Sequence, residues 1–254
     1  QIAAKLKSVI GKLGYGAVLE GIHAEGPVVE TLGGLPPGDS TMSTAAFLRL
    51  VDLLSPGLRI MTIAPSLEAR SSQPFARMRI LLERGIRIAL GHDTSCSVEE
   101  VVKALRVAAE YGERPHITHA FNVQRFHHRN CGLANVAMLP KMPVLPDLSE
   151  VPLPSVEIIA DSVHVSPLVL QVAASCKPQG ALCLITDGIA EPVLGLDMLY
   201  DGRQACVEIA DAGLAVYNTS AEHGGRVLIG SCIMMLDAFK LAVRVLDVGL
   251  ARAI

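Results

Sequence analysis

The chain has 254 residues, half of them hydrophobic, and a formal net charge of −3. This length is sufficient for one large α/β domain or two small ones. Because the charge is mild and no dense basic stripe is present, nucleic acid and anionic membrane surfaces are unfavourable partners. No apolar run approaches the ~18 residues of a membrane span, and six cysteines without a CxxC pair favour reduced thiols in a cytoplasmic protein over a disulfide or zinc framework.

Short apolar runs of the kind that form buried strands recur along the chain. They cover residues 18–22, 60–64, 86–90, 116–118, 156–160 and 181–186. Helical patterns lie between most of them, and this alternation is typical of a parallel sheet covered by helices on both faces. With no linker between the runs, the sequence predicts a single α/β domain.

The helical segments carry start and stop signals. Residues 44–54 have apolar side chains at helical spacing, Pro74 is expected to begin a helix that Gly85 ends, and Ser97 with Glu100 forms a capping box. Ser166 followed by a proline predicts a further helix through residue 172. A Pro-rich insertion is expected at residues 140–154 and a hairpin near residues 205–217.

Polar residues follow successive strands at the point where each strand ends. In a β/α barrel the loops at the carboxyl ends of the strands build the active site, so these residues are expected to converge. They are Glu25, His92, His119, Asp161, His164 and Asp187. Imidazole and carboxylate together suit zinc or a similar divalent ion, and a nearby aspartate can act as general base and then acid.

Glu25 is the residue that most clearly needs a binding partner, because it lies just past an apolar run in the stretch GIHAEGP. Burying an unpaired carboxylate costs several kcal/mol or keeps the group protonated. Glu25 is therefore expected to have a partner, which the residues around it do not identify.

Several short motifs together resemble one family. They are GIHAEGP at 21–27, TIAP at 62–65, LGH at 90–92, THAFN at 118–122, FHHR at 126–129, IIADSVH at 158–164, TD at 186–187 and GS at 230–231. Their order and spacing over most of the chain are similar to those of the N-acetylglucosamine-6-phosphate deacetylases of the amidohydrolase superfamily. Each motif alone is weak, whereas the set is specific.

The resemblance implies a (β/α)8 TIM-like barrel with a single divalent metal ion, expected to be zinc. Glu25, His92 and His119 would bind the metal, so that Glu25 holds a cation. Asp187 would be the catalytic acid and base. Residues 1–254 would form one metal-dependent amidohydrolase barrel domain, incomplete at both ends.

The resemblance also implies substrate contacts. Asn122, the backbone of Val123, Arg129 and His164 would hold the sugar phosphate, with Arg129 reaching across the interface of a homodimer. A guanidinium suits a phosphate because it can bind in a bidentate manner. The sugar site would be lined by Ile229, Gly230 and Ser231.

The chain departs from the family pattern in two respects. Six predicted strands correspond to the third through eighth of the barrel, so the first strand, with its His-x-His pair, and the small β-sandwich have no counterpart. Either the natural chain is longer or this is a shortened relative. In addition, the loop at residues 31–38 lacks the histidine that the family carries after its glutamate.

The expected reaction is hydrolysis of the acetamide of N-acetylglucosamine 6-phosphate to glucosamine 6-phosphate and acetate, with Asp187 deprotonating the attacking water and protonating the leaving amine. Two rivals stay open: an amidohydrolase acting on a different amide, and a weakly active or non-catalytic sugar-phosphate binder. Because residues 33–38 of the altered loop supply no side-chain donor, slow turnover is expected.

Overall fold

The computed structural model describes residues 8–12, 18–142, 151–189, 199–200, 203–204, 207–210, 215–218 and 227–246. The middle of the expected Pro-rich insertion, residues 143–150, lies outside these described residues.

Six parallel strands form the main sheet, and they follow one another in chain order from β1 to β6. Their bounds are β1 Ile22–Glu25, β2 Leu58–Ile63, β3 Arg87–Leu90, β4 His116–Ile117, β5 Ser155–Ile159 and β6 Leu182–Ile185. Sequential parallel strands joined by helices are the repeating unit of a β/α barrel. The sheet curls into a partial TIM-like barrel, as the sequence predicted.

Seven helices are described, and most of them connect consecutive strands. They are α1 Thr44–Leu54, α2 Pro65–Ala69, α3 Ala76–Glu83, α4 Val98–Ala109, α5 Leu133–Ala137, α6 Pro167–Cys176 and α7 Met235–Val245. The apolar sides of these helices and the outward-facing strand residues form the principal core, in which Phe47, Met61, Leu105 and Ile158 are completely buried. None of the described helices has the length and hydrophobicity to cross a membrane.

Between β6 and α7 the described part of the chain contains two small antiparallel sheets. One pairs β7 Leu199–Tyr200 with β8 Arg203–Gln204, and the other joins β9 Val207–Ala210, β10 Ala215–Asn218 and β11 Val227–Ser231 in the order β11-β10-β9. The pairing of β9 with β10 confirms the hairpin predicted near residues 205–217.

A second group of polar side chains lies on or next to strands β1, β2, β4 and β5. Nε2 of His23 lies 2.8 Å from Oγ1 of Thr62, which is in turn 2.8 Å from Oγ1 of Thr118. His116 contacts Glu157 at 2.8 Å between Nε2 and Oε1. These partners satisfy the polar groups locally, and His23 therefore supports the neighbouring strand rather than the metal cluster.

A buried ion pair ties together α2, α3 and the segment before α1. Arg77 Nε donates to Glu68 Oε1 at 2.5 Å, and both side chains are less than a tenth exposed. Nη1 of Arg77 also donates to the carbonyl oxygens of Ser40 and Met42. This arrangement anchors the end of the loop that leads from β1 to α1.

The predicted helices agree with the structure except at their ends. Helix α1 has the predicted bounds, and Ser97 and Glu100 form the predicted capping box. The expectation that Pro74 begins a helix was wrong, because Phe75 adopts a left-handed backbone with φ of 60° and α3 begins after it. The helix after Ser166 continues beyond residue 172 to Cys176.

Candidate metal centre and active site

Three side chains from three strand ends converge on one point. Oε1 of Glu25 lies 2.8 Å from Nε2 of His92 and 2.6 Å from Nε2 of His119. The two imidazole nitrogens are 3.1 Å apart. No other group of three His, Cys, Asp or Glu ligands comes this close together in the described part of the chain. The structure therefore brings together the three predicted metal ligands.

The backbone bends sharply where these side chains leave the sheet. The backbone angle φ is 50° at His92, 25° at His119 and 48° at Asp187, and each of these is the second residue after a strand. Non-glycine residues in this left-handed region carry strain of order 1–3 kcal/mol, and such residues cluster at functional sites. The bends turn all three side chains toward the same end of the sheet.

The loop after β1 fixes the orientation of His92. Nδ1–H of His92 donates to the Thr31 carbonyl at 2.9 Å, and the N–H groups of Glu30 and Thr31 donate to the His92 carbonyl. The Glu30 carboxylate accepts from the Thr31 hydroxyl and from the Thr94 N–H. Because Nδ1 carries the proton, Nε2 of a neutral His92 has a lone pair available for a metal ion at the point where Glu25 and His119 also converge.

The electrostatics of the cluster reflect its close packing. Burial raises the pKa of Glu25, but hydrogen bonds with His119 and His92 outweigh it, so the pKa lies well below its ordinary value. Burial lowers the pKa of His119, yet the hydrogen bond and charge of Glu25 prevail and raise it. The site thus keeps Glu25 as a carboxylate and concentrates negative charge between two imidazoles.

The donor set fits a divalent metal ion. A carboxylate oxygen and two imidazole nitrogens within 4.8 Å of one another would repel one another as bare lone pairs, so the cluster requires protons or a cation at its centre. Three such ligands with room for a further one are typical of catalytic zinc and related sites. The donor chemistry alone leaves the identity of the ion open.

Asp187 lies close enough to this cluster to interact electrostatically with its members. Burial raises the pKa of Asp187; the positive field of His119 lowers it and the charge of Glu25 raises it. The Ser231 N–H donates to the Asp187 carbonyl at 2.9 Å, and the Ser231 hydroxyl donates to the Thr186 carbonyl. Strand β11 therefore holds the end of β6 in place behind the aspartate.

Gly230 must be a glycine for this strand contact to form. Its φ is 155°, and a Cβ there would lie 2.9 Å from the Asp187 carbonyl and 2.6 Å from the Ile189 side chain. Ser231 is fully buried. In the described structure both residues support the position of Asp187, and their contact with a sugar remains a prediction.

His164 lies in a second polar pair near Asp187. Its Nδ1 is 2.5 Å from Oδ2 of Asp161, and Oδ1 of Asp161 accepts the N–H groups of Val163 and His164. Both side chains are at most 2% exposed. The His164 ring acts electrostatically on Asp187, which places it beside the site.

The remaining predicted substrate residues lie on the segment after His119. The Asn122 N–H donates to the His119 carbonyl, and Asn122 and Val123 are partly exposed. Arg129 is exposed, and its guanidinium makes no hydrogen bond or ion pair with the described residues. The His127 ring accepts the N–H groups of Arg129 and Asn130, so it shapes the loop.

The loop that lacks the family histidine passes close to this segment. Leu35 N–H donates to the Leu32 carbonyl, which closes a turn around Gly33 and Gly34. A Cβ at Gly33 would lie 2.6 Å from the Val123 side chain, and one at Gly34 would lie 3.0 Å from Cα of Ile229. The loop therefore borders residues predicted to bind the sugar phosphate without offering them an imidazole.

Sequence reasoning missed the groups that orient His92, and it placed Asp161 near the site without pairing it with His164. Glu30 and the Thr31 carbonyl hold His92, and Asp161 holds His164. The spacing of Asp161 and His164, three residues apart after a strand, was a usable signal for their pairing. A backbone carbonyl such as that of Thr31 has no signature in the sequence.

Curated proteins similar to this chain are N-acetylglucosamine-6-phosphate deacetylases. The human enzyme is 33% identical over 231 residues, which cover 87% of this chain and 50% of the human protein. The Bacillus subtilis enzyme is 32% identical over 178 residues, 68% of this chain and 40% of that protein. The chain spans about half the length of the curated relatives it matches. A scan against protein-family models finds no match.

Comparison with solved structures finds the fold of the same enzymes. A mutant N-acetyl-D-glucosamine-6-phosphate deacetylase from Mycobacterium smegmatis, in complex with N-acetyl-D-glucosamine-6-phosphate, superposes with a TM-score of 0.65 at 25% identity, covering 99% of this chain and 58% of that one. The enzyme from Pasteurella multocida gives a TM-score of 0.70 at 20% identity with the same coverage. The described strands and helices thus correspond to part of a deacetylase barrel.

Proposed function

We propose that this chain, which is related in sequence and fold to the N-acetylglucosamine-6-phosphate deacetylases, carries the metal-binding and proton-transferring part of such an enzyme. The reaction would hydrolyse the acetamide of N-acetylglucosamine 6-phosphate to glucosamine 6-phosphate and acetate. Residues 1–254 would belong to a single amidohydrolase barrel domain.

The convergence of Glu25, His92 and His119 carries this proposal. Their ligand atoms lie within 4.8 Å of one another, and the hydrogen bond from His92 to the Thr31 carbonyl directs its second nitrogen inward. When bound there, a divalent ion supplies the Lewis acidity that makes water nucleophilic at neutral pH and stabilises negative charge on a carbonyl oxygen.

Asp187 would move the proton. Its burial and raised pKa suit a group that takes a proton from the attacking water and later releases it to the leaving amine. The backbone contact with Ser231 keeps this carboxylate at the strand end. Asp187 thereby links water activation to departure of the amine.

The substrate and cellular context extend the proposal. Asn122, Val123 and Arg129 would hold the sugar phosphate, with Arg129 reaching a second protomer of a homodimer, since its guanidinium is exposed and uncommitted among the described residues. Ile229 and Gly230 would border the sugar. Zinc is the metal that the imidazole–carboxylate set favours, and the free cysteines of the described residues suit the cytoplasm.

A weakly active or sugar-phosphate-binding relative is the second candidate. The observation that favours it is the turn at Gly33 and Gly34, which takes the place expected for the family histidine and offers no side-chain donor. Removing one donor to a developing oxyanion typically lowers turnover by about 10²–10³-fold.

Acetate release separates these candidates. The intact, metal-loaded protein is assayed with N-acetylglucosamine 6-phosphate, with N-acetylglucosamine and with an N-acetylated amino acid, and sugar-phosphate binding is measured by calorimetry. The proposal expects release of acetate from the sugar phosphate above all. Binding without release favours the second candidate, and preferential hydrolysis of another amide would replace the proposed substrate.

A further inference from the structure

Glu157 on strand β5 contacts the backbone on both sides of the metal ligand His119. Its main-chain carbonyl accepts the N–H of Ala120 at 2.8 Å, and Oε2 of its side chain accepts the N–H of His119 at 3.4 Å. Regular pairing of β4 with β5 ends before this point, at Ile117 and Val156. One residue of the neighbouring strand therefore holds the two N–H groups that flank the His119 α-carbon, beyond the end of the regular ladder.

The backbone bend at His119 requires such support. Its φ of 25° lies in the left-handed region, where a residue with a side chain is strained and persists only when the surrounding contacts impose that conformation. The bend directs the imidazole toward Glu25, with Nε2 at 2.6 Å from its Oε1. A shift of the His119 peptide would therefore move Nε2 away from the point at which the three ligands meet.

The carboxylate of Glu157 is held in turn by a histidine on the adjacent strand. Its Oε1 lies 2.8 Å from Nε2 of His116, and Nδ1 of that ring lies 2.7 Å from Oγ of Ser155. Because an ionised carboxylate only accepts hydrogen bonds, Nε2 of His116 donates to it. Both side chains of this pair are 12% exposed. The pair thus fixes one oxygen of Glu157 and leaves the other for the N–H of His119.

We infer that Glu157 is a positioning residue that sets the place of the metal ligand His119 through its backbone, with His116 holding the Glu157 carboxylate. The inference rests on the metal site of the proposed function and is independent of the substrate. Among the described residues the three converging ligand groups are Glu25, His92 and His119, so Glu157 offers no ligand atom of its own. Its effect is therefore expected in the affinity for the metal and in the arrangement of the ligands.

Two matched substitutions test this role without any measurement of turnover. Glu157→Asp keeps the charge but shortens the side chain, so the carboxylate can no longer reach both His116 and the N–H of His119. Glu157→Gln removes the charge but keeps the length and an acceptor oxygen, and its amide N–H can donate to the other tautomer of His116. We expect zinc affinity, measured by chelator competition, to fall about 10- to 100-fold in Glu157→Asp and to remain close to that of the wild type in Glu157→Gln. The opposite ranking would show that the charge of Glu157 acts on the metal and would overturn the inference.

The visible absorption of the Co²⁺-loaded protein distinguishes positioning of the ligand from general support of the fold, because these bands depend on the geometry of the metal ligands. We expect the bands to change in Glu157→Asp. They should be unchanged in the control Leu105→Ala, which removes a completely buried side chain of the principal core and lowers stability in urea by leaving a cavity. A Glu157→Asp protein that is destabilised but keeps the wild-type spectrum and zinc affinity has lost only structural support, and this result would overturn the inference.

Failure of the proposed function gives a different result. If the wild-type protein binds zinc but releases no acetate, the deacetylase reaction is wrong, and the ranking of Glu157→Asp against Glu157→Gln still decides the positioning role. If the wild-type protein binds no zinc, the proposed metal site is wrong and the inference falls with it, a result that is seen before any variant is compared.

Discussion

Two ion pairs of equal length make a controlled test of what stabilises the fold around the site. The buried pair joins Arg77 Nε to Glu68 Oε1 at 2.5 Å with side chains 8% and 0% exposed. The surface pair joins Arg79 Nη1 to Glu110 Oε2, also at 2.5 Å, with side chains 38% and 53% exposed. Distance is therefore matched, and burial differs.

Removing the two glutamates should have unequal effects. Glu68→Ala leaves the Arg77 guanidinium buried without its counter-ion and leaves the Met78 N–H without its acceptor, so the expected loss is about 3–5 kcal/mol. Glu110→Ala removes only a solvent-screened charge and should leave the stability almost unchanged. For a chain of this size the buried variant should melt roughly 6–20 °C lower than wild type.

Urea denaturation followed by circular dichroism measures both variants, with equal m-values as the check that the same unfolding reaction is compared. The reasoning fails if Glu68→Ala and Glu110→Ala unfold within about 1 kcal/mol of each other. Because Arg77 also binds the carbonyls of Ser40 and Met42, the buried variant should also loosen the loop that runs from the metal centre, which hydrogen exchange at residues 39–43 would detect.

The other predictions concern the site and the pH dependence of stability. Asp187→Asn should lower kcat by ~10² or more with metal still bound, measured by acetate release and elemental analysis; near-normal turnover would exclude Asp187 as the base. Glu30→Ala removes the support of Thr31 and should weaken metal affinity about tenfold in a chelator competition. Asp39→Ala should not, because among the described residues the hydrogen bonds of that carboxylate are with Thr41; equal affinities of the two variants would contradict this. Burial lowers the pKa of Lys177 to about 8, so above that pH the folded state releases a proton that the unfolded state keeps until about 10.4. The free energy of unfolding of the wild type, relative to that of Lys177→Met, should therefore rise by about 1–2 kcal/mol from pH 8 to 10.4, after allowance for solvent screening. If the free energies of unfolding of the two proteins depend on pH in the same way, this prediction is refuted.

The sequence allowed the order of the sheet and the metal ligands to be predicted for a physical reason. Parallel strands place their carboxyl ends at one edge, so Glu25, His92 and His119 were expected to meet once the strands were located. The first strand begins at Ile22 rather than Val18, because pairing with β2 starts at Ile22 and Val18 remains 42% exposed.

What escaped prediction depends on backbone geometry. The left-handed conformation of Phe75 that delays α3 and the Thr31 carbonyl that orients His92 arise from tertiary contacts, which local residue preferences do not encode. The pairing of Asp161 with His164 could have been proposed from their spacing of three residues after a strand.

Metal content tests the central claim most directly. The wild-type protein and the variants His119→Ala and His127→Ala are loaded with zinc, freed of excess metal and examined by elemental analysis. The structure places the His119 ring at 2.6 Å from Glu25 and uses the His127 ring only to accept two loop N–H groups. We expect about one ion per chain in wild type and in His127→Ala, as for a site with one set of three converging ligands, and little in His119→Ala. Equal metal content in the two variants would contradict the assignment of Glu25, His92 and His119 as the metal site.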